Sequence, residues 1–139
     1  MLFATTYQVW GWPVTVCGDQ VLLTVGVEVT ALVLPAGLAE AVTAILASRD
    51  RRAPVLVNPD APKDRVLLAG EPYGVALPWP TRVRIVTGTL PLPPSATPSG
   101  PVRWQRRPTT PDLTECREID IFGAVHTTLR AAADAGYGR

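Results

Sequence analysis

Proline decides what this chain can become. Fifteen prolines and eleven glycines are spread through 139 residues. An interior proline removes a helical hydrogen bond and clashes with the preceding turn, so a helix bundle or coiled coil is excluded. The prolines are unevenly placed. Seven fall between residues 88 and 111, where an extended, ordered excursion is expected, with a short strand at Val102-Arg103-Trp104 inside it. The stretches that proline leaves alone carry the periodic patterns, and these are short enough for one domain.

Val14-Thr15-Val16-Cys17 and Gln20-Val21-Leu22-Leu23-Thr24-Val25 flank Gly18-Asp19 and read as a hairpin. Val27 to Leu34 is rich in β-branched residues and predicts a third strand. From Leu38 to Ala47 the apolar positions 38, 42, 45 and 46 recur at helical spacing, and Pro35 suits the helix start. Pro54–Val57 and Arg65–Ala69 predict two more strands around a turn at Asn58–Asp64. Arg82-Val83-Arg84-Ile85-Val86 alternates charged and apolar residues, as a half-buried strand with outward arginines does.

The last pattern is the longest. Leu113, Cys116, Ile119, Phe122, Val125 and Leu129 recur every three or four residues, predicting a helix of roughly 20 residues. Thr110 or Asp112 would cap it, and Asp112 with Glu115 has the spacing of a capping box. The whole order predicts a single small α+β domain over residues 1–130: a mostly antiparallel or mixed sheet with two helices packed on it. Residues 131–139 are expected to form a flexible C-terminal tail.

Composition narrows the function classes. Apolar residues make up 47% and charged residues 18%, with a formal net charge of +1. That excludes a strongly basic nucleic-acid arm and an acidic disordered tail, though not a local basic face. Cys17 and Cys116 are far apart and belong to no CxxC pair, so free thiols are expected. No targeting segment or membrane-spanning stretch is visible, and a cytoplasmic location without membrane contact is expected.

Chemical motifs are few. There is no phosphate-cradling GxxxxGK[ST] or GxGxxG, and one histidine with two distant cysteines makes no zinc pattern. His126 reads as a partly exposed helix residue, because no serine, cysteine or acid is spaced to serve it. Glu118 and Asp120 would share a face on a strand and hold a divalent cation there. On a helix they point about 200° apart and do not. Arg103, Arg106 and Arg107 surround Trp104, and Arg82 and Arg84 would join them if their strands pair. Guanidinium groups around an aromatic platform suit single-stranded nucleic acid or a phosphate. The competing reading is a solvated sheet edge with one buried indole. Pro78-Trp79-Pro80 is either part of a core lid or an exposed loop for a protein partner.

Three groups of residues carry a family resemblance. Trp10-Gly11-Trp12-Pro13-Val14 resembles the GWPV stretch of bifunctional DNA primase/polymerase N-terminal domains, of the archaeo-eukaryotic primase group. Leu92 to Gly100 resembles their T-P-x-G-G-x-H motif. Leu68–Gly74, Leu77–Pro80 and Cys116–Phe122 are similar to short actinobacterial proteins labelled with that domain. The resemblance implies an acid pair on a central strand, with a metal ion between the acids and a triphosphate. Here Thr30-Ala31-Leu32-Val33-Leu34-Pro35 has no acid, and Pro101-Val102-Arg103-Trp104 stands where the histidine belongs. The resemblance therefore implies a degenerate, non-catalytic relative without a cofactor, acting as a binding or regulatory module. The alternatives are an active nucleotidyltransferase using Glu118 and Asp120 with Mg²⁺ or Mn²⁺ and a distant acid such as Glu28, or a protein-interaction module without nucleic-acid contact.

Overall fold

Two strands, Val29–Pro35 and Asp64–Gly70, the second apolar after Asp64 and Arg65, pair in antiparallel register along their full length and form the centre of the molecule. The computed structural model describes residues 4–137. These strands are β3 and β5. They lie within a five-stranded antiparallel sheet of order β10-β4-β5-β3-β6, completed by β4 (Val55–Val57), β6 (Arg84–Ile85) and β10 (Arg103–Arg106). A second, three-stranded antiparallel sheet joins β1 (Val14–Cys17), β2 (Gln20–Val25) and β7 (Gly88–Leu92) in the order β1-β2-β7. A small hairpin of β8 (Ala96–Thr97) and β9 (Gly100–Pro101) stands apart. Together with the helices this is a small α+β fold.

Side chains alternate across a strand, so each face of the five-stranded sheet has its own core. Leu32, Leu34, Leu67, Ala69 and Val55 point to helices α2 (Ala36–Ser48) and α3 (Glu118–Tyr137). Val29, Ala31, Val66, Leu68 and Leu56 point to β2 and β7 of the second sheet and to α1 (Ala4–Val9). Coverage on both faces explains why β3 and, after Arg65, β5 read as apolar runs and not as alternating ones. The two predicted helices do pack on the sheet, against each other and on one face. The short α1 has no apolar period and was not expected.

The hairpin turns at Gly18-Asp19, with Cys17 opposite Gln20 and Gly18 at φ +61°. Pro35 stands at the N-cap of α2. The long excursion between 88 and 111 is held by side chains, one of them its own. Buried Ser95 accepts from the Val21 N–H at 2.7 Å and donates to the Val21 carbonyl at 3.0 Å. That closes the edge of β2 where β7 ends.

The helix expected from residue 113 starts later. Leu113–Glu115 forms one 3₁₀ turn, and Cys116 is extended at φ −141°. Asp112 does cap, accepting from the Thr114 N–H at 2.9 Å, but it caps this turn and not α3. The physical reason is β5. Gly70 donates to the Cys116 carbonyl at 3.0 Å and bridges Arg117 in parallel. A Cβ on Gly70 would lie 2.8 Å from the Leu113 carbonyl carbon. Residues 113–117 lie on the sheet end too closely to form the wider α-helix. Arg117 then donates its N–H to Asp120 Oδ2 at 2.9 Å, the return half of a capping box for α3.

Three further details differ from the sequence pattern. The buried stripe of α3 is Glu118, Ile121, Ala124 and Val125, while Phe122 is half-buried. Of the 82–86 strand only Arg84 and Ile85 pair, and both are exposed. Helix α3 continues past residue 130 to Tyr137; Gly138 and Arg139 lie outside the described residues. Among the described residues no helix is long and apolar enough to cross a membrane.

Candidate functional site

Strand β10 is an edge strand, hydrogen-bonded to β4 on one side and, among the described residues, unpaired on the other. Arg103 lies opposite Val57, Trp104 opposite Leu56 and Arg106 opposite Val55, with a bulge between Trp104 and Arg106. A bulge bends an edge and re-aims the side chains after it. Trp104 turns toward the second sheet. Arg106 and Arg107 emerge exposed beside the turn that follows α2, which supplies Arg52.

Here the surface folds into a cleft of about 430 Å³, lined by Arg52, Arg106, Arg107, Thr109, Thr110 and Leu113. Asp112 and Glu115 also line it. Arg106 also borders a second hollow of about 340 Å³ with Arg65 and Gln105, where Arg65 Nε donates to Gln105 Oε1 at 2.7 Å. Among the described residues, Arg52, Arg103, Arg106 and Arg107 make no ion pair. Asp112 does not neutralise them directly. Its carboxylate accepts from the Thr114 hydroxyl and N–H, which hold it below the usual carboxylate range.

The sequence-derived cluster is thereby split. Arg103, Arg106 and Arg107 stand on one edge of the five-stranded sheet and Arg82 and Arg84 beside the other, with β4, β5 and β3 between. Strand β6 pairs with β3 and not with β10. Arg84 faces Asp64 at 3.7 Å. Arg52 takes the place the other pair was expected to fill. Nothing in its sequence position, a charged loop after α2, distinguishes it from Arg49 or Arg51.

Trp104 is not a free platform. It is half-buried, its Nε1–H donates to the Tyr7 hydroxyl at 3.1 Å, and its ring meets Trp12 edge-on at 6.4 Å. Trp79 is likewise turned inward, edge-on to Phe122 at 5.0 Å, with its indole N–H buried and unpartnered among the described residues. Pro78 is exposed and Pro80 half-buried on either side of it. Tyr73 and Val75 are exposed large hydrophobic side chains just before it.

Glu118 and Asp120 both lie in the first turn of α3. Glu118 is buried and accepts the Tyr73 N–H at 2.8 Å. Asp120 accepts from Arg117 Nε at 3.2 Å and faces Arg51 at 3.8 Å. Burial works against the Asp120 charge, but the Arg117 hydrogen bonds and both arginine charges outweigh it and lower its pKa. Among the described residues no group of three acid, histidine or cysteine side chains is placed to hold a metal ion. Glu28 is exposed in the loop between β2 and β3. His126 is exposed, with its ring on Phe122 at 4.4 Å. Both cysteines are free, Cys17 exposed in the hairpin and Cys116 buried.

No family model, no curated protein and no solved structure matches this chain.

Proposed function

We propose that this chain is a non-catalytic binding module, a degenerate relative of the primase/polymerase domains, that holds single-stranded nucleic acid by its phosphates along β10. The observation that carries the reading is the set of four exposed arginines, 52, 103, 106 and 107, gathered at one sheet edge and making no ion pair among the described residues. A guanidinium with no carboxylate partner keeps its donors for a phosphate, and its weak hydration lowers the cost of the contact. With the Trp104 ring packed inward, backbone charge and not base stacking supplies the affinity. Binding of that kind is indifferent to sequence and falls with salt as counterions are released.

The lack of nucleotidyl transfer rests on two placements. The central strand β3 carries no acid and is covered on both faces, so an acid pair there would have no open side. Glu118 and Asp120 spend their carboxylates on the Tyr73 amide and on Arg117. Neither points with the other at a common centre.

A fluorescent oligothymidine titrated at low and moderate salt tests the reading. Binding is expected at low salt, weaker at moderate salt, and reduced by joint Arg52→Ala, Arg106→Ala and Arg107→Ala. Joint Arg82→Ala and Arg84→Ala, on the opposite edge, should leave it intact. No binding at low salt, or an equal loss from the 82/84 pair, overturns the proposal. Mg²⁺-dependent primer extension that disappears in Glu118→Ala would restore the enzyme reading.

A further inference from the structure

We infer that Thr109 is a phosphorylation site and that its phosphate would occupy the β10 cleft, closing it to other anions. The closing of the cleft rests on the anion-binding reading above; the modification site does not.

Three observations converge on Thr109. It is exposed, and residues 107–112 form no helix or strand. A protein kinase must draw its substrate into an extended conformation, and this irregular segment allows it at the cost of releasing buried Pro108 and Arg106, the last residue of β10. Arg106 and Arg107 precede it by three and two residues, with Pro108 between. Two arginines on the N-terminal side of the acceptor are what a kinase with an acidic peptide-binding groove selects. Thr109 also lines the same cleft as Arg52, Arg106 and Arg107. Thr110 is the poorer acceptor: it is half-buried, and its hydroxyl oxygen accepts the Asp112 N–H at 3.3 Å.

The step balances simply. Thr109 Oγ1 attacks the γ-phosphorus of ATP, the bond to ADP breaks, and the hydroxyl proton passes to the kinase's base. The product carries nearly two negative charges and three acceptor oxygens. Facing it are the guanidiniums of Arg52, Arg106 and Arg107 and, against them, the carboxylates of Asp112 and Glu115. The three arginines outnumber the two acids, and the Asp112 carboxylate is already engaged by Thr114.

The experiment uses the full chain, an arginine-directed kinase and ATP. Peptide mass spectrometry should place the added phosphoryl group on Thr109, absent in Thr109→Ala and retained in Thr110→Ala. Incorporation elsewhere, or none, overturns the assignment. A ³¹P titration of the phosphorylated protein, folded and in urea, then tests the cradle. The folded midpoint should lie lower and return toward the urea value in Arg52→Ala. Equal midpoints overturn the occupancy. Finally, the phosphorylated protein should bind oligothymidine on the order of tenfold more weakly than the unmodified one. Equal affinity overturns the closing of the cleft. An unmodified protein that never binds refutes the nucleic-acid reading instead, and the mass and ³¹P results still judge the site.

Discussion

The two faces of the five-stranded sheet are closed in different ways. On one face, α2 and α3 lay leucine, isoleucine, valine and alanine onto the sheet. On the other, four aromatic rings assemble from distant segments: Tyr7 stacks on Trp12 at 5.4 Å, Trp10 tilts against Trp12 at 5.4 Å, and Trp104 closes the group. The interior of the helical face is held mainly by shape and burial, so one side chain there can substitute for another of like volume. The aromatic face is directed. The Tyr7 hydroxyl donates to the Pro93 carbonyl at 2.7 Å, and Trp12 Nε1 donates to the Pro111 carbonyl at 3.0 Å. Trp104 in turn donates to Tyr7. These bonds join residues 86, 99 and 97 positions apart. A proline-rich chain offers carbonyls without matching N–H groups, and the ring donors answer them.

The contrast can be broken by truncation. Trp12→Ala should destabilise the fold by about 3–5 kcal/mol, read from chemical denaturation. A loss well under 1 kcal/mol would mean that the aromatic face is ornament on a core made by the helices. Ile121→Ala, at the centre of the helical face, should cost about 2–5 kcal/mol. A loss clearly greater than that of Trp12→Ala would reverse the ranking of the faces.

A smaller change isolates direction from bulk. Tyr7→Phe keeps the ring but leaves the Pro93 carbonyl and the Trp104 N–H without their partner. An expected loss of about 1–3 kcal/mol follows from the two stranded groups. If the variant melts like the parent, the aromatic face is held by packing, as the helical one is.

A further effect is expected at alkaline pH, and it touches both faces. Burial pushes the Tyr7 phenol up from 10.0 to about 12, with the Trp104 hydrogen bond working against it. Burial, then the Asp120 charge, pushes the Cys116 thiol up from 9.0 to about 12. Each group stays protonated in the folded chain while the unfolded chain loses its proton. Their contribution is complete below pH 9 for Cys116 and below pH 10 for Tyr7, and is lost as pH rises toward 12. The melting temperature should therefore fall over that window. Joint Tyr7→Phe and Cys116→Ala should flatten the decline. An equally steep decline in the double variant would show that other groups set it.

The candidate interface was only partly visible in the residues. Arg103, Arg106 and Arg107 are neighbours in the chain and remained neighbours in space. Trp104 lies between them, yet strand alternation and the bulge sent its ring to the opposite side. Arg52 reached the site because β4 follows it and pairs with β10. Arg82 and Arg84 left it because β6 joins β3 at the far edge.

Local periodicity determined the β1–β2 turn, β3, α2, β4 and β5, because each buries a repeating set of side chains against a neighbour. Proline content by itself excluded the all-helical folds. The stripe through Leu113 was misleading for its first turn, since periodicity cannot report that Gly70 would bring β5 within contact of that backbone. Strand order, the covering of both sheet faces and the grouping of the arginines were decided only by the tertiary structure. These depend on which edges pair across long sequence separations, and that choice minimises exposed apolar surface over the whole chain at once, a quantity no short window of residues contains.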